Sequence, residues 1–462
     1  MRRSLRGWWR EGEAWYGAVA LANLVLGTSS VLTPLMLSRV LGHSVGKLGL
    51  FVSLVSLVGV IGSLLWGRLS DAAARRKPFV VVSYGVVGLC FLAVAFVPSF
   101  EHFLWINMLL NFFWVANASV TVLIVIENRD EAAWEAKIGQ LNQVGAIGWV
   151  LGLALGSAAL AAGTFLASEE VAIRSLFIII AMGGLMASTM AFRRIPRTAP
   201  KFTRRQFRGA ILALGNHLIE RMRFAPFHLY HRLQPRRILA TLRDPQGFRP
   251  GTKRFLSATF VTFVGVGLFG IPLPLLLSER FGLPSYLVFA FFALQHLGVV
   301  AAYPLAARRI RRRGNRRVQI GTILVRLVLF STTALFLAFF KGSPPTVALV
   351  IGFAIYGLTW SYLQLSGIAL VSRLARAENR GLALGLYNGL AGIGFVIAGF
   401  TSGLLAGWGG YQSAFGASAG LLLIALLIVL TVPRPIDLPQ ETRNGRDPVT
   451  NLPRELEPAG TS

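Results

Sequence analysis

The chain holds one cysteine in 462 residues, and only 19 acidic side chains against 46 basic ones. Cys90 has no partner within the chain, so no intrachain disulfide framework exists; a lone thiol in an apolar stretch reads as a small core residue. Charged residues are 14% of the total, far below the roughly one quarter of soluble domains. That shortage excludes a water-soluble enzyme. The acids are also missing from particular places: all 19 lie in loops, tails or the ends of apolar stretches. Segments alternating apolar and polar residues are absent, which argues against a membrane barrel. Nucleotide motifs are absent in any working form. Gly42-His43-Ser44-Val45-Gly46-Lys47-Leu48 is one residue short of a phosphate loop and lacks the hydroxyl residue after lysine. Gly265-Val266-Gly267-Leu268-Phe269-Gly270 fits the dinucleotide spacing but lies inside an apolar stretch, not after a strand. No metal or cofactor is expected, and ATP hydrolysis has no residues to carry it.

What the chain does have is apolar length. Hydrophobic residues reach 54%, and runs such as 48–66 and 138–162 carry no charge. A helix needs about 20 residues to cross a hydrocarbon core, where its backbone must satisfy itself. Twelve spans are expected, near 15–38, 48–67, 78–98, 102–126, 138–162, 171–192, 255–278, 284–306, 318–340, 346–370, 382–406 and 413–433. The net charge of +27 then has a simple explanation. Segments on one side of the spans collect 40 of the 46 Lys and Arg, as the positive-inside rule requires. Nucleic acid is not needed as a partner. Both termini are expected in the cytoplasm, and the first apolar run is too long for a cleaved leader. Arginine outnumbers lysine 40 to 6, a bias expected of a GC-rich prokaryote, whose inner membrane would be the location.

The chain also repeats itself. Pro34-Leu35-Met36-Leu37-Ser38 followed by Gly42 recurs as Pro274-Leu275-Leu276-Leu277-Ser278 followed by Gly282, an offset of 240. Gly139-Gln140-Leu141-Asn142 recurs as Gly385-Leu386-Tyr387-Asn388. The expected domains are a six-helix bundle over 1–192, a linker over 193–254, a second bundle over 255–433 and a disordered tail over 434–462. Such a repeat places a solute site between the halves, near the midplane. The linker carries 16 basic residues against Glu220 and Asp244. Phe207, Ile211, Leu214, Leu218 and Met222 fall on one helical face, the pattern of an amphipathic helix lying on an anionic inner leaflet.

Between the second and third spans sits Gly67-Arg68-Leu69-Ser70-Asp71-Ala72-Ala73-Ala74-Arg75-Arg76-Lys77. This stretch resembles the signature loop of the major facilitator superfamily, and a degenerate copy follows at offset 240. With twelve spans and the repeat, the resemblance covers about residues 10–435. It implies an all-α membrane fold of two pseudo-symmetric six-helix bundles, acting as a monomeric secondary transporter by alternating access. It also implies a conformational gate at Gly67, Asp71, Arg75 and Arg76, for which Glu127 and Arg380 are candidate partners. The alternative for the loop is a turn that only satisfies the charge rule. Gly148, Gly152 and Gly156, with Gly145, resemble the antiporter motif of drug exporters in this family, but Leu153 and Ser157 depart from it. Close helix packing is the preferred meaning.

Polar residues inside a membrane are costly and point to function. Asn107, Asn111, Trp114 and Thr121 share one arc of the fourth span, with Asn117 at its edge. Asn23 stands on the first span, and Tyr356, Thr359, Trp360 and Gln364 group on the tenth. The resemblance implies that spans 1, 4, 7 and 10 line the cavity. The expected substrate-binding set is therefore Asn23, Asn107, Asn111, Trp114, Tyr356, Trp360 and Gln364, joined by His296 from the eighth span. Inter-helix hydrogen bonding is the plain alternative for each. With no buried carboxylate, coupling to protons would fall to His296 or to the shallower Glu127. Arg326, alone in its apolar run, is expected to snorkel to the membrane surface. These residues suit a neutral or amphipathic small molecule. Export of an amphipathic compound is the first expectation; uptake or facilitated diffusion of a sugar or nucleoside, lipid translocation, and a non-transporting receptor or scaffold are the alternatives.

Overall fold

The computed structural model describes residues 14–72, 76–127, 134–196, 251–375 and 380–433. They are helical almost throughout, with no strand among the described residues. The first half comprises α1 (Tyr16–Leu35), α2 (Val45–Ala72), α3 (Lys77–Ala95), α4 (Phe100–Glu127), α5 (Trp134–Leu166) and α6 (Glu169–Arg194). The second comprises α7 (Thr252–Gly270), α8 (Ser285–Arg313), α9 (Asn315–Phe339), α10 (Thr346–Leu374) and a final segment, Arg380–Leu430. That segment breaks at Gly410, whose φ of 75° and ψ of 175° no helix contains. Only glycine takes this backbone without strain, and the break yields α11 (380–409) and α12 (411–430). The basic linker with its expected helix over 207–222, and the tail from 434, lie outside the described residues.

Ten of the described segments are long and apolar enough to cross a membrane, and one of the ten, Ala383–Leu430, contains both α11 and α12. α4, at 28 residues, is also of span length, though part of it lies outside the residues whose side chains are described. With α4 counted, the described residues form twelve helices of span length, in two bundles of six. Local signals agree with the helix ends. Ser168 caps α6 by accepting from the Val171 N–H at 3.4 Å, Glu169 and Glu170 occupy its first turn, and Arg193 and Arg194 its last. Negative charge at the start and positive charge at the end both complement the helix dipole.

The internal repeat is visible in the backbone. α1 ends in a π-turn at Met36–Val40, and α7, after a short break, ends in one at Leu276–Arg280. Gly42 and Gly282 follow them, each with φ of 65°. The ring-closing bonds match as well: His43 N–H to Leu37 O at 3.0 Å, and Leu283 N–H to Leu277 O at 3.0 Å. A motif read as five repeated letters is thus one repeated bend.

Successive helices alternate in direction, so the loops after α1, α3, α5, α7 and α9 share one face, here the far face. The residues flanking the linker lie at the other, the linker face. The halves join along α2–α11 and α5–α8. At the first seam Gly49 meets Gly399 and Gly403, and a Cβ on Gly49 would lie 2.4 Å from Gly399 O. Ser53 donates to Val396 O at 2.9 Å. At the second, Ser157 donates to Tyr286 O at 2.8 Å, and the Ser285 hydroxyl donates to the Glu169 carboxylate. Arg39, in the first π-turn, donates to Ser278 O at 2.9 Å in the second and to Leu283 O at 3.3 Å just beyond it. All these contacts lie toward the far face, which is closed.

The Arg39 bonds cross between halves and must break if the far face opens. Arg39→Ala is expected to raise far-face opening severalfold, about 1 kcal/mol for lost charge-assisted bonds. Labelling of Tyr286→Cys in a Cys90→Ala background would measure it; unchanged labelling would show that Arg39 holds nothing shut.

Candidate solute site

A cavity of about 400 Å³ lies between the halves, from the midplane toward the linker face. That volume is within the range of small-molecule sites. α1 contributes Val19 and Asn23; α4 contributes Trp114, Asn117 and Thr121. α5 contributes Asn142 and Trp149 with the small residues Gly145 and Ala146, and α8 contributes His296, Val299 and Val300. Its polar groups are amide, hydroxyl, indole and imidazole, set among valines and Leu141, with no carboxylate among the described residues. Asn23 is tethered to its own helix, its Nδ2 donating to Val19 O at 2.8 Å. Trp114 stacks on buried Tyr84 at 6.3 Å, with Asn117 beside the Tyr84 hydroxyl.

The wall at α5 depends on close approach. A Cβ on Gly148 would lie 2.2 Å from Ala20 O, and on Gly152 2.0 Å from Leu24 O. On the facing helix, a Cβ on Gly27 would lie 2.3 Å from Trp149 O. Thr28 closes the crossing by donating to Gly152 O at 2.8 Å. α1 and α5 therefore touch backbone to backbone, and this crossing sets where Asn23 and Trp149 stand.

Trp149 and His296 meet across the seam. Their rings stack at 5.7 Å and 21°, joining α5 of one half to α8 of the other inside the cavity. His296 Nδ1 lies 3.0 Å from Phe292 O. A carbonyl only accepts, so Nδ1 carries the proton and Nε2 is the nitrogen that can gain or lose one. The Trp149 indole N–H is buried with no partner among the described residues, a donor in reserve for a solute.

Of the expected substrate-binding residues, the structure brings Asn23, Trp114 and His296 together. It places the others elsewhere. Asn107 Nδ2 donates to Phe103 O at 2.8 Å on its own helix, and Asn111 Nδ2 donates to Val55 O at 2.7 Å, tying α4 to α2. Tyr356 is buried inside the second bundle, Trp360 packs edge-on against Phe263, and Gln364 lies outside the cavity lining. Asn142 and Trp149 line the cavity unforeseen. Asn142 had been only a mark of the repeat, and Trp149 sits beside Gly148 in the glycine stripe, whose packing role masked it.

The gate residues are only partly in view. Gly67 and Asp71 ride the last turns of α2, Glu127 ends α4 and Arg380 begins α11; their side chains, and all of Arg75, lie outside the described residues. Arg76 precedes α3 at its N-cap.

Arg326 does not snorkel. It is fully buried, its Nη2 donates to Tyr356 O at 3.0 Å, and its guanidinium lies 4.9 Å from the Tyr356 ring and 5.5 Å from that of Trp360. Snorkelling needs a path to water along the helix. Here α9 turns this face inward, and aromatic faces substitute for water around the cation.

The sequence profile of the Major Facilitator Superfamily matches residues 16–328 and 255–457. The chain belongs to the major facilitator superfamily. It is therefore a membrane transporter of a small solute, and the cavity between its halves is the place to seek that solute. Solved structures of the superfamily share the fold at low identity. The nucleoside transporter NupG is 14% identical with a TM-score of 0.61, covering 91% of this chain and 98% of its own. The inward-open xylose transporter XylE from E. coli is 15% identical with a TM-score of 0.64, covering 92% and 97%. A POT family transporter in complex with a thioalcohol-conjugated peptide is 13% identical with a TM-score of 0.67, covering 90% and 94%. No curated protein matches the chain.

Proposed function

We propose that this chain is a secondary transporter working by alternating access on a neutral or amphipathic organic solute, held in the cavity of Asn23, Trp114, Asn117, Asn142, Trp149 and His296. The observation that carries this reading is the lining itself. Amides and hydroxyls satisfy polar groups, indoles take apolar surface, and no carboxylate stands among the described lining residues to select a cation. The cavity lies toward the linker face while the far face is closed, as in an inward-facing carrier. Export of an amphipathic compound is the first reading. Uptake of a neutral polar solute such as a nucleoside or sugar is the second, favoured by the three asparagines among the lining residues.

His296 is the proposed proton carrier, with Glu127 the shallower candidate. Asp71, with Gly67, Arg75 and Arg76, is proposed to close the linker face against Glu127 or Arg380 when the far face opens. The basic linker over 193–254 is proposed to lie on an anionic inner leaflet, with the protein a monomer in a prokaryotic inner membrane and its termini cytoplasmic.

Liposomes holding a pH-sensitive dye, challenged with amphipathic drugs, sugars and nucleosides, test the reading. At least one neutral or amphipathic compound is expected to cross, and Asp71→Asn is expected to slow it about tenfold by removing a charge-assisted contact of one state. If no compound crosses, or Asp71→Asn is inert in every function the protein shows, the receptor or scaffold alternative gains.

A further inference from the structure

A second, smaller cavity of about 210 Å³ lies within the second bundle, between α7, α9 and α10 near the far face. Leu276, Leu329, Phe336 and Phe353 give it apolar walls, and Tyr356 closes its inner end. Two of the three hydroxyls on its wall donate to a backbone carbonyl, Thr332 and Thr333 both to Leu329 O, and the third is that of Tyr356. The pocket mouth opens beside exposed Ala348, next to Val347, which is 68% exposed, and Ile351, which is 54% exposed. In a membrane protein such a surface faces lipid tails. The volume is below that of whole-ligand sites but suits an alkyl segment.

Directly behind Tyr356 stands the buried Arg326. Its Nη2 has the Tyr356 carbonyl, but its Nε and Nη1 have no acceptor among the described residues. No carboxylate pairs with it among the described residues. A guanidinium stays charged, and a buried charge without a counter-charge is costly. Aromatic faces from Phe330, Tyr356 and Trp360 offset part of that cost, yet they cannot accept its N–H groups in line. Arg326, Leu329 and Phe330 follow at i, i+3 and i+4 on α9, so the guanidinium lies one turn inward of the pocket wall.

We propose that the pocket and Arg326 together form a binding site for an amphipathic carboxylate, a medium-chain fatty acid entering from the bilayer. Its alkyl chain fills the apolar pocket, and its carboxylate passes the edge of the Tyr356 ring to accept from the unpartnered guanidinium nitrogens. The charge complementarity selects an anion, since a neutral alcohol could accept from the guanidinium only without the opposite charge that strengthens the bond. This site is independent of the central cavity and of the solute carried there.

The test is binding of decanoate and decanol to the full chain in phosphatidylcholine nanodiscs. Decanoate is expected to bind saturably, and decanol about tenfold or more weakly, since charge-assisted bonds to Arg326 are the difference. Arg326→Gln should weaken decanoate by a similar factor, and Ala348→Phe, which blocks the mouth and leaves the guanidinium intact, should weaken it as well. Equal binding of acid and alcohol, absent decanoate binding, or unchanged binding in Arg326→Gln would overturn the proposal. If Arg326→Gln does not fold, the acid–alcohol comparison in the parent and in Ala348→Phe decides it.

Discussion

Gly152→Ala should cripple the protein, lowering its stability by about 1–3 kcal/mol and its transport with it, the usual scale of overpacking. The physical reason is specific. The added methyl would sit 2.0 Å from a backbone carbonyl oxygen, Leu24 O, not from the tip of a side chain that could swing away. Either α1 retreats or α5 does, and both carry the cavity wall. Gly148→Ala should act alike through Ala20 O at 2.2 Å. Because the two sites share one crossing, the double variant should cost less than the sum of the singles. Gly389→Ala is the matched control, since a Cβ there meets nothing within 4 Å. Thermal unfolding in detergent, with initial transport rates, measures all four. Equal tolerance of Gly152→Ala and Gly389→Ala would mean the crossing is looser than described.

Replacing His296 by Phe should abolish any proton movement that accompanies transport, while an aromatic ring still stacks on Trp149. His296 is the one ionisable side chain among the described lining residues, so the pH dependence of transport should flatten. Replacing Trp149 by Ala should act differently. It removes the stacked partner, worth about 0.5–1.5 kcal/mol beyond area, and the unpartnered indole donor with it. Solute affinity should fall about tenfold or more, which needs only ~1.4 kcal/mol. The two variants thus separate coupling from binding. Proton signals measured alongside solute flux decide between them. Retained proton movement in His296→Phe would pass the coupling role to Glu127 or to another ion, and unaltered affinity in Trp149→Ala would move the solute elsewhere.

Much of the fold was legible because the bilayer leaves few choices. Apolar runs without charge can only be spanning helices, and arginines collect where the loops lie on one side. The repeat at offset 240 proved to mark the paired π-turns and the positive-φ glycines at 42 and 282, because a left-handed glycine after a fixed bend is a local matter. The glycine stripe of α5 was also readable as close packing, since a missing side chain at every turn has few other uses in lipid.

The cavity was less legible. Asn23 and Asn111 look equivalent in sequence, each an amide in mid-span. Asn23 stands at the cavity wall, whereas Asn111 donates to Val55 O on a neighbouring helix. Nothing near Asn111 in the chain announces that carbonyl, 56 residues away. Trp149 was hidden for the same reason: its importance comes from His296, on the other half. Arg326 was misjudged because snorkelling depends on which way α9 faces. The sequence by itself determined the membrane class, the number of helices, the twofold repeat and the charge asymmetry, all consequences of composition along one chain in a solvent that tolerates few structures. Only the tertiary structure decided which polar side chains share a cavity and which are spent on carbonyls, because a hydrogen-bond partner from another helix is fixed by packing and not by neighbours in sequence.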